Sequence, residues 1–398
     1  MIFSSLLKDF IKEHENDDIH SLALHAKKYQ NIDIQLAVQQ IAGRRIMREK
    51  VPSWYENDSI IYPKHISLEQ CSSEQTASYK SSLVEGNSMV DLTGGFGVDF
   101  SFISFGFNKA VYVEQQEELC RVAALNFNNL KLNNTTVVNS DAIEYLKEMS
   151  PVDLIYIDPS RRDTSGRKIF RIEDCTPDIL EIENQLEEKA EKTMIKLSPM
   201  LDISLAVKSM RNISEVHVVS ANNECKELLF IKEEGNVSTI FHCINILKDR
   251  IDCFTFSKDQ EEQASVHYTS QVGKYLYEPN PSILKAGAYK CFAEANNLKK
   301  LHPSSHLYTS DKLLPDFQGR QFTIEQICTL SKKDIKQYLS GIKQANITTR
   351  NFPLSVQEIR QKTRLKDGGD MYIFATTLAN DLKVLVICKK CNYKQFSA

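Results

Sequence analysis

Residues 89–99 read Met-Val-Asp-Leu-Thr-Gly-Gly-Phe-Gly-Val-Asp, and no other stretch constrains the fold as tightly. Met89 and Val90 lead into an acid, Asp91; a glycine turn follows, and a helix-compatible run begins at Val98. This is the pattern of a buried strand feeding a helix through a tight loop. Glycine has no Cβ, so such a loop can bring its backbone close to a polar ligand, and the helix that follows offers unpaired N–H groups. A dinucleotide site uses G-x-G-x-x-G, whose third glycine lets helix and strand pack closely. Here Phe100 stands three positions after Gly97, so that pattern is broken. The alternative pattern, an acid at the strand end followed by two spaced glycines (Asp91, Gly95 and Gly97), is intact.

The following segments repeat the strand-acid theme. Residues 109–114 form a β-branched run ending in Glu114, about twenty residues after Asp91. At that offset an acid meets ribose hydroxyls in related folds, and a carboxylate accepts from two of them. Residues 116–132 carry apolar side chains at a rough helical period. A third strand over 135–139 closes on Ser140, Asp141 and Ala142. Asp141 reads equally as a ligand-facing acid and as the N-cap of a helix. A fourth strand, 152–157, runs into Asp158-Pro159-Ser160-Arg161-Arg162-Asp163. Ligands of open α/β sheets sit beyond the carboxyl ends of the strands, so this loop faces the crevice of Gly95. Arg161 and Arg162 suit bidentate capture of a phosphate or carboxylate; the competing reading is a solvated loop paired with Asp163. Further strands are expected at 193–197 and 215–220, with a hairpin of 227–231 and 238–241 around residues 234–236. Strand-helix alternation with short connections predicts a doubly wound α/β domain.

Before this domain, residues 3–10 and 32–47 have helical spacing. Arg44, Arg45, Arg48 and Lys50 cluster at the end of the second helix, as a dipole-favoured basic terminus or as a nucleic-acid patch. Ser72 or Ser73 caps a helix before the first strand, and Gln70, Ser73 and Thr76 are placed either to close over a ligand or simply to cap. After it, residues 267–320 are rich in Tyr, Pro and Ser. Residues 322–388 read strand (322–330), helix (332–343), strand (345–351), helix (355–364) and hairpin (371–377 with 383–387), an α+β module.

The set Asp91, Gly95 and Gly97 resembles motif I of class I S-adenosylmethionine-dependent methyltransferases. The resemblance implies a cofactor site of Asp91, Thr93, Gly94, Gly95, Gly97, Glu114 for the ribose, Asp141 and Ala142 for the adenine, with Gln70 and Thr76 closing over it. It also places the catalytic motif at Asp158, Pro159 and Ser160, and substrate contacts at Arg161 and Arg162. Amino-methylating relatives carry Asp/Asn-Pro-Pro-aromatic there; this chain departs from it at Ser160 and Arg161. The runs 68–74, 91–97, 275–281, 302–311, 350–353 and 367–370 together resemble one bacterial family, known mainly from Bacteroidetes. Its members are class I methyltransferases with a ferredoxin-like insert and a C-terminal THUMP-like domain. The implied fold is α/β: a doubly wound Rossmann-like methyltransferase sheet, an N-terminal helical region and C-terminal α+β domains. The implied divisions are 1–62, 63–255, 256–320 and 321–398.

A net charge of −3 and a pI of about 6.3 give the whole chain no general attraction to phosphate. Locally, Lys332, Lys333, Lys336, Lys343, Arg350, Arg360, Lys362, Arg364 and Lys366 face only Asp334 and Glu358. A basic module on an acidic body is expected if one end grips an RNA backbone, tRNA or rRNA; two solvated helix faces are the alternative. The ten cysteines are scattered, and Lys8 and Asp9 interrupt the first apolar stretch, so a cytoplasmic protein without a secretory signal is expected. No apolar run approaches the ~20 residues that span a bilayer. Cys388 and Cys391 form a lone CxxC lacking the two further ligands of a structural zinc, and no metal is expected. Cys175 invites comparison with carbon-5 pyrimidine methylation, but Asp174, Thr176 and Pro177 do not fit those motifs, and a packing role is expected. A small-molecule methyltransferase, a non-catalytic RNA-binding protein and a nicotinamide-dependent oxidoreductase remain as alternatives, the last opposed by Phe100.

Overall fold

A computed structural model describes residues 4–63, 65–161, 172–235 and 238–391. The chain divides into two compact units, 1–216 with 227–238, and 217–226 with 239–398.

The first unit holds β1 (Gly86–Asp91), β2 (Phe107–Glu114), β3 (Thr135–Asn139), β4 (Val152–Ile157) and β5 (Ala190–Leu197), with residues 213–216 of β6 (Ile213–Ala221) and 227–233 of β7 (Glu224–Glu233). Their order is β6-β7-β5-β4-β1-β2-β3. β1 pairs in parallel with β2 and β4, β2 with β3, and β4 with β5, whereas β7 runs antiparallel to β5. The order reverses at β1, so the chain leaves β1 and β4 on opposite sides of a crevice at their carboxyl ends. Strand β4 is buried from Leu154 to Ile157, which is why it reads as an apolar run there, and β5 is buried at Thr193, Met194, Ile195 and Leu197. Phe100, which broke the dinucleotide pattern, is fully buried, its ring 5.5 Å from Tyr112 and 4.9 Å from Phe127.

The expected N-terminal helices form as Ser5–Glu13 and Ile34–Lys50, with Ser4 and Asp33 as caps. Within their basic cluster, Arg44 pairs with Glu15 at 3.2 Å and Asp58 at 3.3 Å, Lys50 donates to the carbonyls of Leu68 and Glu69, and Arg48 is exposed. One expectation is corrected. The segment 227–231 belongs to β7, which lies between β6 and β5 instead of forming a hairpin with 238–241. The hairpin turn is at Asn222 and Asn223, both with positive φ (50° and 63°), the geometry that twists a two-residue turn to match its strands.

In the second unit, β8 (Ile240–Ile246) pairs antiparallel with β9 (Ile251–Ser257). A seven-stranded sheet follows, from β10 (Tyr275–Pro279), β11 (Lys299–Lys300), β12 (Tyr308–Ser310), β13 (Gly319–Cys328), β14 (Asn346–Arg350), β15 (Met371–Thr377) and β16 (Lys383–Lys390). Its order is β11-β12-β10-β13-β16-β15-β14, so one sheet runs continuously through residue 320. The helix expected over 332–343 reaches only Leu339, ending in a wide π turn before Ser340 and Gly341. The hairpin of β15 and β16 forms as expected. Among the described residues, no helix is long and apolar enough to cross a membrane.

Candidate functional site

The carboxyl ends of β1, β2 and β4 meet in a network of short contacts. Asp91 closes β1 and is 1% exposed; its Oδ1 accepts from the Thr93 N–H at 2.9 Å and from the Thr93 hydroxyl at 3.4 Å. Burial pushes its carboxyl well above the ordinary range, with only the Thr93 N–H opposing and no cation paired to it among the described residues. The Thr93 hydroxyl oxygen in turn accepts the Asp158 N–H at 2.6 Å, which ties the glycine loop to the loop after β4.

The glycines are required by geometry. A Cβ on Gly94 would lie 2.1 Å from the Tyr112 ring, and one on Gly97, which has φ +85°, would lie 2.8 Å from Phe127. Gly95, at φ +56°, donates its N–H to Glu114 Oε2 at 3.0 Å, and its carbonyl accepts from the Tyr112 hydroxyl. Glu114 closes β2, largely buried, and its Oε1 accepts the Gln116 N–H at 2.8 Å. Each of its oxygens keeps a further lone pair.

The other expected residues take varied positions. Asp141 caps the helix Ala142–Glu148, accepting from the N–H groups of Ile143 at 2.8 Å and Glu144 at 3.2 Å. It stays near the sheet edge, because the Ser140 N–H bonds the Glu114 carbonyl at 3.2 Å. Gln70 is exposed at the end of the helix His65–Gln70. Thr76 is buried at the start of the helix Glu74–Ser81, its hydroxyl donating to the Ser73 carbonyl at 3.1 Å. Pro159 is buried; Ser160 is exposed, and Ser160–Arg161 pairs antiparallel with Cys175–Thr176. Arg162 lies outside the described residues. Cys175 is buried, as a packing cysteine would be. Cys388 is buried in its strand, its thiol pushed up by burial.

Sequence reasoning missed the charged layer beneath this edge. Lys196 near the end of β5 reaches Asp158 Oδ2 at 2.5 Å, Asp99 Oδ2 at 3.4 Å and the Ser72 hydroxyl at 3.3 Å. Those three contacts account for all three ammonium protons. Burial works against its charge, but Asp158, Asp99 and Glu227 outweigh it and raise its pKa well above the ordinary value. Asp99 also accepts from the hydroxyls of Ser72 and Tyr156, each at 2.7 Å, and pairs with Lys80 at 3.1 Å. Lys80, wholly buried, reaches Glu227 at 2.5 Å. Asp158 is therefore held from two sides, by Thr93 at its backbone and by Lys196 at one carboxylate oxygen. Its other oxygen has no partner among the described residues, and 37% of the side chain is exposed. The available signal was a lysine inside a strand buried on both faces, a placement that demands a partner.

Three family models match parts of the chain: conserved hypothetical protein 95 at residues 74–189, a ferredoxin-like domain at 275–317 and a THUMP domain-like module at 319–390. No curated protein matches it. Among solved structures, a "putative methyltransferase from Porphyromonas gingivalis W83" is 34% identical, with a TM-score of 0.88, over 98% of this chain and 100% of that one. An rRNA methylase from Streptococcus thermophilus is 13% identical over 40% of this chain and 95% of its own, with a TM-score of 0.30. Similarity along nearly the full length, together with the two C-terminal matches, shows that the chain belongs to the bacterial methyltransferase family carrying ferredoxin-like and THUMP-like domains.

Proposed function

We propose that the protein transfers a methyl group from S-adenosylmethionine to RNA, either tRNA or rRNA. The observation that carries this reading is the 2.6 Å bond from the Asp158 N–H to the Thr93 hydroxyl. It joins the loop suited to a nucleoside ligand to the loop carrying Asp158, one of whose carboxylate oxygens has no partner among the described residues, so donor and acceptor would share one crevice. Most of the rate advantage would then come from positioning.

The residues suit this cofactor. Glu114 has lone pairs left for the two ribose hydroxyls, and Asp91 is a buried acid lacking the cation that an amino-acid ammonium would supply. Gly94 and Gly97 keep the loop close to the core, which leaves the Gly95 side open: a Cβ there meets nothing nearer than 3.8 Å. When bound, the sulfonium supplies an electrophilic methyl group. Asp158 orients the acceptor through the oxygen that Lys196 does not hold, and Lys196 keeps that carboxylate fixed. Arg161 and Arg162, next in the chain, would anchor an anionic part of the substrate.

RNA is favoured by the stretch 332–366, with nine basic residues against two acidic ones. Lys332, Lys333, Lys336, Lys343, Lys362, Arg364 and Lys366 are exposed, as phosphate contacts require, and Arg350 and Arg360 each also hold an internal ion pair.

Calorimetry with S-adenosylhomocysteine tests the cofactor: saturable heat is expected, and none at high micromolar ligand would overturn it. Mass spectrometry of tRNA and rRNA nucleosides from a deletion strain and its parent tests the acceptor, with one methylated nucleoside expected to vanish. An unchanged profile would move the acceptor to a small molecule. Asp158→Ala is expected to keep cofactor binding and lose about a hundredfold or more in transfer.

A further inference from the structure

Three of the sequence runs singled out above, 275–281, 302–311 and 350–353, take no part in the transfer site, yet they meet at one place in the second unit. Glu278, 3% exposed at the end of β10, accepts from Arg320 Nε at 2.7 Å and from Arg320 Nη2. Its other oxygen accepts from Arg350 Nη2 at 2.9 Å, across 72 residues of chain. Close backbone approach makes this possible: a Cβ on Gly319 would lie 2.2 Å from the Glu278 carbonyl. Beside Arg350, the Asn351 side chain meets His302 at 3.0 Å, and the Ser305 hydroxyl donates to the Thr377 carbonyl at 2.8 Å.

Charge and hydrogen-bond capacity are both unbalanced here. Two guanidiniums share one carboxylate, which leaves a positive remainder. Each guanidinium has five N–H groups, and Glu278 takes three of the combined set. Arg350 Nε is buried without a partner among the described residues, as is the hydroxyl of Thr376, the residue opposite Arg350 on the neighbouring parallel strand. His306 Nδ1 is a third such atom, on a ring stacked 3.7 Å from Tyr289. Burial, with Lys300 and Arg350 adding to it, pushes the His306 pKa down to about 4, so the ring adds no charge to the cluster near neutral pH. Buried donors without acceptors are rare and destabilising. Yet the two arginine side chains remain 35% and 38% exposed, open to a ligand from outside.

We propose that Arg320 and Arg350, set on Glu278, form a phosphate-binding site. A tetrahedral phosphate has the oxygens to take, from two differently oriented guanidinium forks, N–H groups beyond the three that Glu278 accepts. The phosphate is either part of an RNA strand or free in solution, and the two sources are separable. Nothing in this assignment involves the methyl-transfer crevice, so it stands or falls apart from that reading.

The test uses the full-length protein, with inorganic phosphate followed by calorimetry and short labelled RNAs, with and without a 5′-phosphate, followed by anisotropy. Arg350→Gln is expected to weaken binding about tenfold or more, while Glu278 stays paired with Arg320. Glu278→Gln is expected to strengthen it, because the competing carboxylate is gone. These opposite signs cannot arise from unfolding. Preference for the 5′-phosphorylated RNA identifies a terminal phosphate, and equal binding of both RNAs identifies a backbone phosphodiester. Binding of inorganic phosphate alone identifies a free anion. The assignment is overturned if the wild-type protein binds none of these probes at millimolar phosphate, or if both variants change affinity in the same direction.

Discussion

Replacing Lys80 by methionine removes the cation in contact with Glu227 while keeping the length of the side chain. The ammonium lies 2.5 Å from Glu227 and 3.1 Å from Asp99, and Lys80 is wholly buried. Asp99 keeps Lys196 at 3.4 Å, so the damage falls on Glu227, itself only 4% exposed. Breaking a buried pair by removing one partner costs about 3–5 kcal/mol, because the other charge stays buried and uncompensated. The effect has a pH signature. Burial already raises the Glu227 carboxyl above its ordinary value even against Lys80, and losing the lysine raises it further. The folded variant then binds a proton that the unfolded chain has released, and its stability falls as pH rises, by up to about 1.4 kcal/mol per pH unit. The penalty is therefore expected to grow as pH rises above the ordinary carboxyl range and to shrink as pH falls back toward it and Glu227 takes up a proton. Urea unfolding followed by the fluorescence of Trp54, the only tryptophan and 2% exposed in the same unit, measures it directly. Adding Glu227→Gln is expected to restore more than half of the loss. A loss under about 1 kcal/mol at pH 8, the scale of a surface pair, would refute the reasoning.

Asp99→Asn probes the other side of the same layer. Burial opposes the Asp99 charge, but Lys80 and Lys196 outweigh it, with Ser72 and Tyr156 donating, and hold the carboxyl below its usual range. Its stabilisation is present above the unfolded pKa of about 4 and is lost as pH falls below that, so wild type and variant should differ in urea midpoint at pH 7 and converge in acid. Gly94→Ala is expected to cost more than about 3 kcal/mol and to abolish S-adenosylhomocysteine binding, since the new methyl meets the Tyr112 ring at 2.1 Å. Gly235→Ala is the control: with φ +84° and nothing within 4 Å, it should cost only about 1 kcal/mol of backbone strain, read from the same unfolding curves. Equal losses for the two glycines would show that the Tyr112 contact is unimportant.

Sequence alone determined the strands that lead to the crevice and the residues that close them. Asp91, Glu114 and Asp158 were legible because a strand buried on both faces leaves an apolar run, and a polar side chain at its end marks the exit from the core. The N-cap reading of Asp141 and the glycine turn were legible for the same reason: both are interactions between residues within a few positions of each other. Tertiary structure decided everything that joins distant charges. Lys80 reads as an ordinary basic residue near a helix terminus, and Glu227 as a strand residue 147 positions away, yet they meet at 2.5 Å. Glu278 and Arg350 are separated by 72 residues, and no local pattern pairs them. The hairpin at Asn222 and Asn223 was hidden by a second turn signal at 234–236, because choosing between two plausible turns depends on which strands lie alongside. Hydrophobic periodicity records which way one segment faces. It carries no record of which opposite charge, arriving from another segment, makes a buried ion affordable.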